Sequence, residues 1–167
     1  MKPAAYVDIA PERIPQQQLT QGSVKVIAGV FDTGAEKLGG PIQGLSTDPQ
    51  YYDIALNAGQ SLTLQLPASH SALVYPYRAA VQVTDGTAVR QVPEHHAAVL
   101  TQGNSLTLQS EQPCRFLVLA AAAIGEPIVQ YGPFVMNSVA EIEQAISDYQ
   151  QGKLTDNTAA GSIALAQ

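Results

Sequence analysis

Three histidines, His70, His95 and His96, and one cysteine, Cys114, are the side chains of this 167-residue chain best suited to hold a metal or serve as base and nucleophile. Neighbouring residues on a strand point to opposite faces, so His95 and His96 cannot both ligate one ion in regular strand geometry. A loop could gather them with Glu94, but the spacing matches no structural or catalytic zinc pattern. The alternative puts His95 in a turn and His96 at the start of a strand, its ring bonded to a backbone carbonyl. His70 and Cys114 form a second candidate pair, since a histidine beside a thiol favours a reactive thiolate. A lone cysteine ahead of an apolar strand is otherwise a small packed hydrophobe. The carboxylates Asp8, Glu12, Asp32, Asp48 and Asp53 are scattered rather than paired for glycoside hydrolysis, and no Gly-x-Ser-x-Gly elbow or phosphate-binding glycine loop occurs. Tyr51, Tyr52, Tyr75, Tyr77, Tyr131 and Tyr149 suit either packing or the mouth of a ligand site, because each ring is apolar with a wet tip.

The elements that must position these groups are short strands. Alternating or continuous apolar segments run over Ala5–Ile9, Val24–Val30, Tyr51–Leu56, Ser61–Leu66, Ala72–Tyr75, Ala79–Val83, Ala88–Val92, Ala97–Leu100, Ser105–Leu108 and Arg115–Ala120. Turn chemistry separates them, as at Asp85-Gly86 and Gln102-Gly103-Asn104. Such spacing means a sandwich or barrel. An internal echo sharpens this: Gly59-Gln60-Ser61-Leu62-Thr63-Leu64-Gln65 is answered by Gly103-Asn104-Ser105-Leu106-Thr107-Leu108-Gln109. The same register aligns Ala72–Tyr75 with Phe116–Leu119, as a jelly roll of two similar halves would. It also gives His70 and Cys114 equivalent places, from which they could flank one barrel mouth. Pro76 cannot donate to a ladder and is expected to end its strand early or lie at an edge.

One helix is expected over 138–151. Ser138 and Glu141 make a capping box, Val139, Ile142, Ala145, Ile146 and Tyr149 share a face, and Gly152 follows as the stop. Residues 1–154 are read as a single domain and 155–167 as a flexible tail.

Bulk properties narrow the function classes. Eight Lys and Arg against fourteen Asp and Glu give a net charge of -6, which repels phosphate backbones and argues against direct nucleic-acid binding. One cysteine excludes an intrachain disulfide, the N-terminus lacks a signal-peptide layout, and the longest apolar run is too short to span a bilayer. A cytoplasmic location is expected, with no membrane partner.

The stretch Glu126-Pro127-Ile128-Val129-Gln130-Tyr131-Gly132-Pro133-Phe134-Val135-Met136-Asn137 resembles the closing signature of pirins. Val26-Ile27-Ala28-Gly29, Leu66-Pro67-Ala68 and Glu94–Leu100 fit as well, although Tyr131 stands where the family pattern has His. Pirins carry two cupin domains in tandem, and every matching stretch is similar to the second. The resemblance implies an all-β, cupin-type double-stranded β-helix (jelly roll) with one C-terminal amphipathic helix. It also implies that the metal and dioxygenase-like chemistry belong to the first domain, held there by a His-x-His pair and a His-x-Glu pair. No His-x-His occurs in this chain, and the corresponding Leu66-Pro67-Ala68-Ser69-His70 offers one imidazole. The expected function is therefore a non-catalytic cupin domain for protein association or small-ligand binding, without metal, cofactor or catalytic residues. The alternative is a quercetinase-like metal-dependent dioxygenase, or another small-molecule enzyme, with an atypical site. Cavity candidates are His70, His96 and Cys114. A homodimer is expected through Val139, Ile142, Ile146 and Tyr149, because an apolar helix face without its tandem neighbour could be covered by a second copy.

Overall fold

The computed structural model describes residues 6–32, 34, 36–84 and 86–154. In chain order the strands are β1 (Gln16–Leu19), β2 (Gly22–Ala28), β3 (Val30–Asp32), β4 (Lys37–Gly39), β5 (Gln50–Leu56), β6 (Gln60–Gln65) and β7 (His70–Arg78). After them come β8 (Val81–Thr84), β9 (Val89–Val92), β10 (Ala98–Val99), β11 (Ser105–Ser110), β12 (Cys114–Ala122), β13 (Val129–Tyr131) and β14 (Phe134–Met136), then helix α1 (Val139–Gln150). Residues 9–123 make one compact unit; residues 124–154, with 6–8, make another.

The first unit is a β-sandwich. One sheet has the order β1-β2-β5-β12-β7-β10 and the other β6-β11-β8-β9, while β3 and β4 form a separate hairpin. Alternation decides which side chains enter the space between the sheets: β5 buries every second residue, including Tyr52, Ile54 and Leu56, and β6 buries Leu62 and Leu64. Phe116, Val118, Val74 and Val24 from one sheet join Leu106, Leu108 and Val81 from the other in a continuous core. Burying each of these side chains contributes about 1.5–3 kcal/mol.

The sequence echo has a geometric meaning. Thr63 pairs with Thr107 in the antiparallel β6–β11 ladder, and Val74 pairs with Val118 in β7–β12. Both partners are 44 residues apart (107 − 63 and 118 − 74), the same offset that separates Gly59 from Gly103. An approximate two-fold axis therefore passes through both sheets at these pairs, and the hydroxyls of Thr63 and Thr107 meet on it at 2.9 Å.

Two expectations need correction. The alternation at Ala5–Ile9 does not make a strand: residues 6–9 lie in no ladder, and Pro11 opens a short 3-10 turn instead (residue 5 lies outside the described residues). Pro76 does not end its strand, since β7 runs on to Arg78. No β10 residue pairs beyond Val74, so Pro76 is laddered to β12 alone, the edge setting that was the other expectation, and a register shift leaves Tyr77 as the extra residue on β7.

In the second unit, α1 packs on the hairpin of β13 and β14. The Ser138 hydroxyl accepts from the Glu141 backbone amide at 3.3 Å, and Glu141 reaches back to the Asn137 amide at 3.1 Å. Gly152 ends the helix in the left-handed region, at φ 69°. No helix among the described residues is long and apolar enough to cross a membrane.

Candidate functional site

The inward face of β7 starts at His70 and continues through Ala72 and Val74. On the facing sheet the inward residues are Val83 of β8, Arg90 and Val92 of β9, and Leu106 of β11. Arg90 belongs to this face because it pairs with Val83 and lies two residues from buried Val92. Between these walls, with Ala98 and the 100–103 loop along one side, lies a cavity of about 510 Å³. That volume is typical of small-molecule sites.

His70 is the buried polar residue of this wall. Its Nε2 lies 3.6 Å from the Asp48 carboxylate, beyond hydrogen-bond distance, and its Nδ1 is sealed from solvent with no partner among the described residues. An unpaired buried imidazole nitrogen costs about 1–3 kcal/mol.

A second cavity, of about 390 Å³, lies beside Asp32, Lys37, Asp48, Gln50 and Tyr52. Its polar groups satisfy one another. Gln50 Oε1 accepts from the Val30 amide at 3.0 Å, and its Nε2 donates to the Asp48 carbonyl at 3.2 Å. The Tyr52 hydroxyl lies 2.6 Å from Gln50 Oε1 and 2.8 Å from the Val30 carbonyl, so its single proton serves one acceptor at a time. Burial, reinforced by the Asp48 charge, holds this hydroxyl above the ordinary tyrosine range.

The other candidates lie elsewhere. His96 is exposed, with Nδ1 3.0 Å from the Glu94 carbonyl; His95 is exposed at positive φ in the adjoining turn, its Nε2 3.7 Å from the Glu94 carboxylate. Cys114 is buried, but it lines neither cavity. On the β7–β12 ladder, Ala122 faces His70, whereas Cys114 sits eight residues away (122 − 114) at the other end of β12. At about 3.3 Å per residue, roughly 25 Å separates the two positions. The two-fold axis that makes them equivalent is what keeps them apart. Burial pushes the Cys114 thiol up, against opposing hydrogen bonds from Ser110 and the Leu56 backbone, so it is a packed thiol rather than a thiolate.

No three His, Cys, Asp or Glu side chains converge among the described residues. A cupin metal needs three or four such donors, and His70 with one exposed carboxylate does not supply them. The residues present do not fit a resident metal ion. On the α1 unit, Val139 and Tyr149 are exposed, Ile142 is buried and Ile146 is half-buried.

The family profile of the pirin C-terminal cupin domain matches residues 51–155. The chain belongs to the pirin family. A Pseudomonas aeruginosa protein provisionally named a quercetin 2,3-dioxygenase is 44% identical over 156 residues, which is 92% of this chain and 54% of that protein. Human pirin is 31% identical over 151 residues, 89% of this chain and 50% of its own length. Among solved structures, a quercetin 2,3-dioxygenase from Acinetobacter baumannii superposes with a TM-score of 0.78 at 34% identity, over 93% of this chain and 52% of that one. The chain spans about half the length of the curated relatives it matches. The expected all-β cupin architecture with one helix near its end is the one found.

Sequence reasoning reached His70 through the cupin motif but missed Arg90. The signal was available: Arg90 stands two residues before Val92 on an alternating strand, and so shares its inward face.

Proposed function

We propose that this pirin-type cupin domain is a non-catalytic small-ligand binder that takes its ligand into the cavity walled by His70. The observation that carries this is the buried imidazole, its Nδ1 unpaired, on the wall of a cavity of about 510 Å³. A structural histidine would satisfy both nitrogens, whereas a binding site keeps one polar group in reserve among apolar walls. The dioxygenase names of the relatives belong to proteins about twice this length, and the donor set needed for a metal-borne oxidation is not assembled by these side chains.

The test is a nitrogen-15 NMR titration with the neutral probe 3-phenylpropanol. Saturable shifts at His70, Ala98 and Leu100, lost in Ala98→Phe, are the expected result. A titration that moves none of these amides refutes the reading. So does stoichiometric metal in the purified chain together with flavonol oxidation.

A second reading, association with another copy, is favoured by a different observation. Ile128, Tyr131, Val135, Val139 and Tyr149 are large exposed apolar side chains, all in the unit of β13, β14 and α1. Sedimentation at tens of micromolar should give a dimer that Ile128→Glu with Val135→Glu converts to monomer; a wild-type monomer refutes it. Ile142 is unsuited to that test, because it is buried within the chain itself.

A further inference from the structure

We propose that the ligand of the His70 cavity is a small organic monocarboxylate with an apolar body, its carboxylate held by Arg90. The proposal rests on the binding reading above and adds the chemical class.

The first argument is charge. The protein carries fourteen acidic against eight basic residues, yet no Asp or Glu is among the described residues lining this cavity, and Arg90 is the one permanently charged residue there. In an acidic chain, a wall with one guanidinium and no carboxylate among its described residues is complementary to a single negative charge. It repels neither end of an anionic ligand with a greasy tail.

The second argument is that Arg90 is uncommitted among the described residues. No hydrogen bond or ion pair engages its guanidinium among the described residues, whereas Arg115 on β12 is committed to Asp53 at 3.0 Å. Arg90 is exposed at the cavity rim, on the same face as buried Val92. A planar guanidinium offers two parallel donors that match the two oxygens of a carboxylate.

The third argument concerns what lies behind it. Leu66, Ala72, Val92 and Leu106 form the apolar part of the wall, with the His70 ring among them. A guanidinium at an open surface holds a carboxylate weakly. An apolar body seated on these side chains adds the burial term that an inorganic anion cannot supply. The rim also presents Thr101 and Gln102, whose hydroxyl and amide can donate to the bound carboxylate without adding charge.

The experiment compares 3-phenylpropanoate with its neutral amide, 3-phenylpropanamide, by calorimetric titration of the full chain and of Arg90→Gln. The acid is expected to bind roughly tenfold more tightly than the amide, the low end for a charge-assisted pair at a rim. Arg90→Gln should remove that preference and leave amide binding within about twofold of wild type, which also reports that the variant is folded. Equal affinity for acid and amide, or acid binding unchanged in Arg90→Gln, overturns the carboxylate assignment and leaves the cavity reading standing. Failure of acid, amide and 3-phenylpropanol alike to bind overturns both.

Discussion

His70 and Cys114 occupy equivalent places on a duplicated scaffold, yet one end of the sandwich is open and the other is filled. At the Cys114 end, β5 pairs with Cys114 to Ala120 of β12 and sets Leu56 directly opposite Cys114. At the His70 end, the counterpart strand is β10, which pairs only Ala98 with Val74 and Val99 with Leu73 before the Leu100 amide makes a last bond to Ala72. No β10 residue pairs with His70. A jelly roll can therefore keep its symmetric centre and gain a cavity simply by shortening one edge strand; the side chain left at the gap becomes the candidate site.

The largest blow to this comparison should come from the rows that both ends share. Phe116→Ala is expected to cost about 3–5 kcal/mol in urea denaturation, since the ring is fully buried between the sheets. A cost under about 1 kcal/mol would mean that the ends do not depend on a common core. Added bulk should next separate the two ends. Cys114→Leu enlarges a filled site and should cost about 1–3 kcal/mol, whereas Ala98→Phe extends into open space and should cost less than about 1 kcal/mol. Equal penalties would erase the distinction between open and closed ends. A thiol makes the same contrast chemically. Cys114, buried and pushed above its ordinary value, should resist iodoacetamide at neutral pH in the native chain, while a cysteine placed by Ala98→Cys is alkylated readily.

The smallest expected effect lies on the outer surface of the closed end. There the Tyr77 hydroxyl donates to Asp53 at 2.7 Å, Arg115 donates to the same carboxylate, and the guanidinium lies 5.4 Å from the Tyr77 ring centre. Burial first, then the bond to Asp53, pushes the Tyr77 hydroxyl up to about 12 from 10.0. The folded chain keeps a proton that the unfolded chain releases, so the contribution is whole below about pH 10 and is lost as pH rises towards 12. Tyr77→Phe should flatten that alkaline decline in denaturation midpoints; an unchanged slope would dissociate Tyr77 from it.

The echo and the capped helix were legible because each rests on local chemistry. Two copies of Ser-Leu-Thr-Leu-Gln announce equivalent strands, and Ser138 with Glu141 announces a helix start. What equivalence could not say is whether equivalent residues meet. An antiparallel pair about a two-fold axis sends His70 and Cys114 to opposite ends, so the expected pairing became a separation. The strands β1, β3, β4, β13 and β14, three or four residues each, were not read from periodicity, although β8, β9 and β10, no longer than these, were. His96 kept its ring on a backbone carbonyl, one of the alternatives its sequence left open. Arg90 was hidden in a strand where three of four residues are exposed, and only its register against Val83 turns it inward.

The Thr63–Thr107 ladder has a further consequence for how the chain folds. Ser61–Gln65 is complementary to an antiparallel copy of itself, because its twin Ser105–Gln109 is that copy. During refolding, either segment finds an equally good mate on a neighbouring molecule, so intramolecular closure competes with strand exchange between chains. The yield of correctly closed protein should therefore fall as refolding concentration rises.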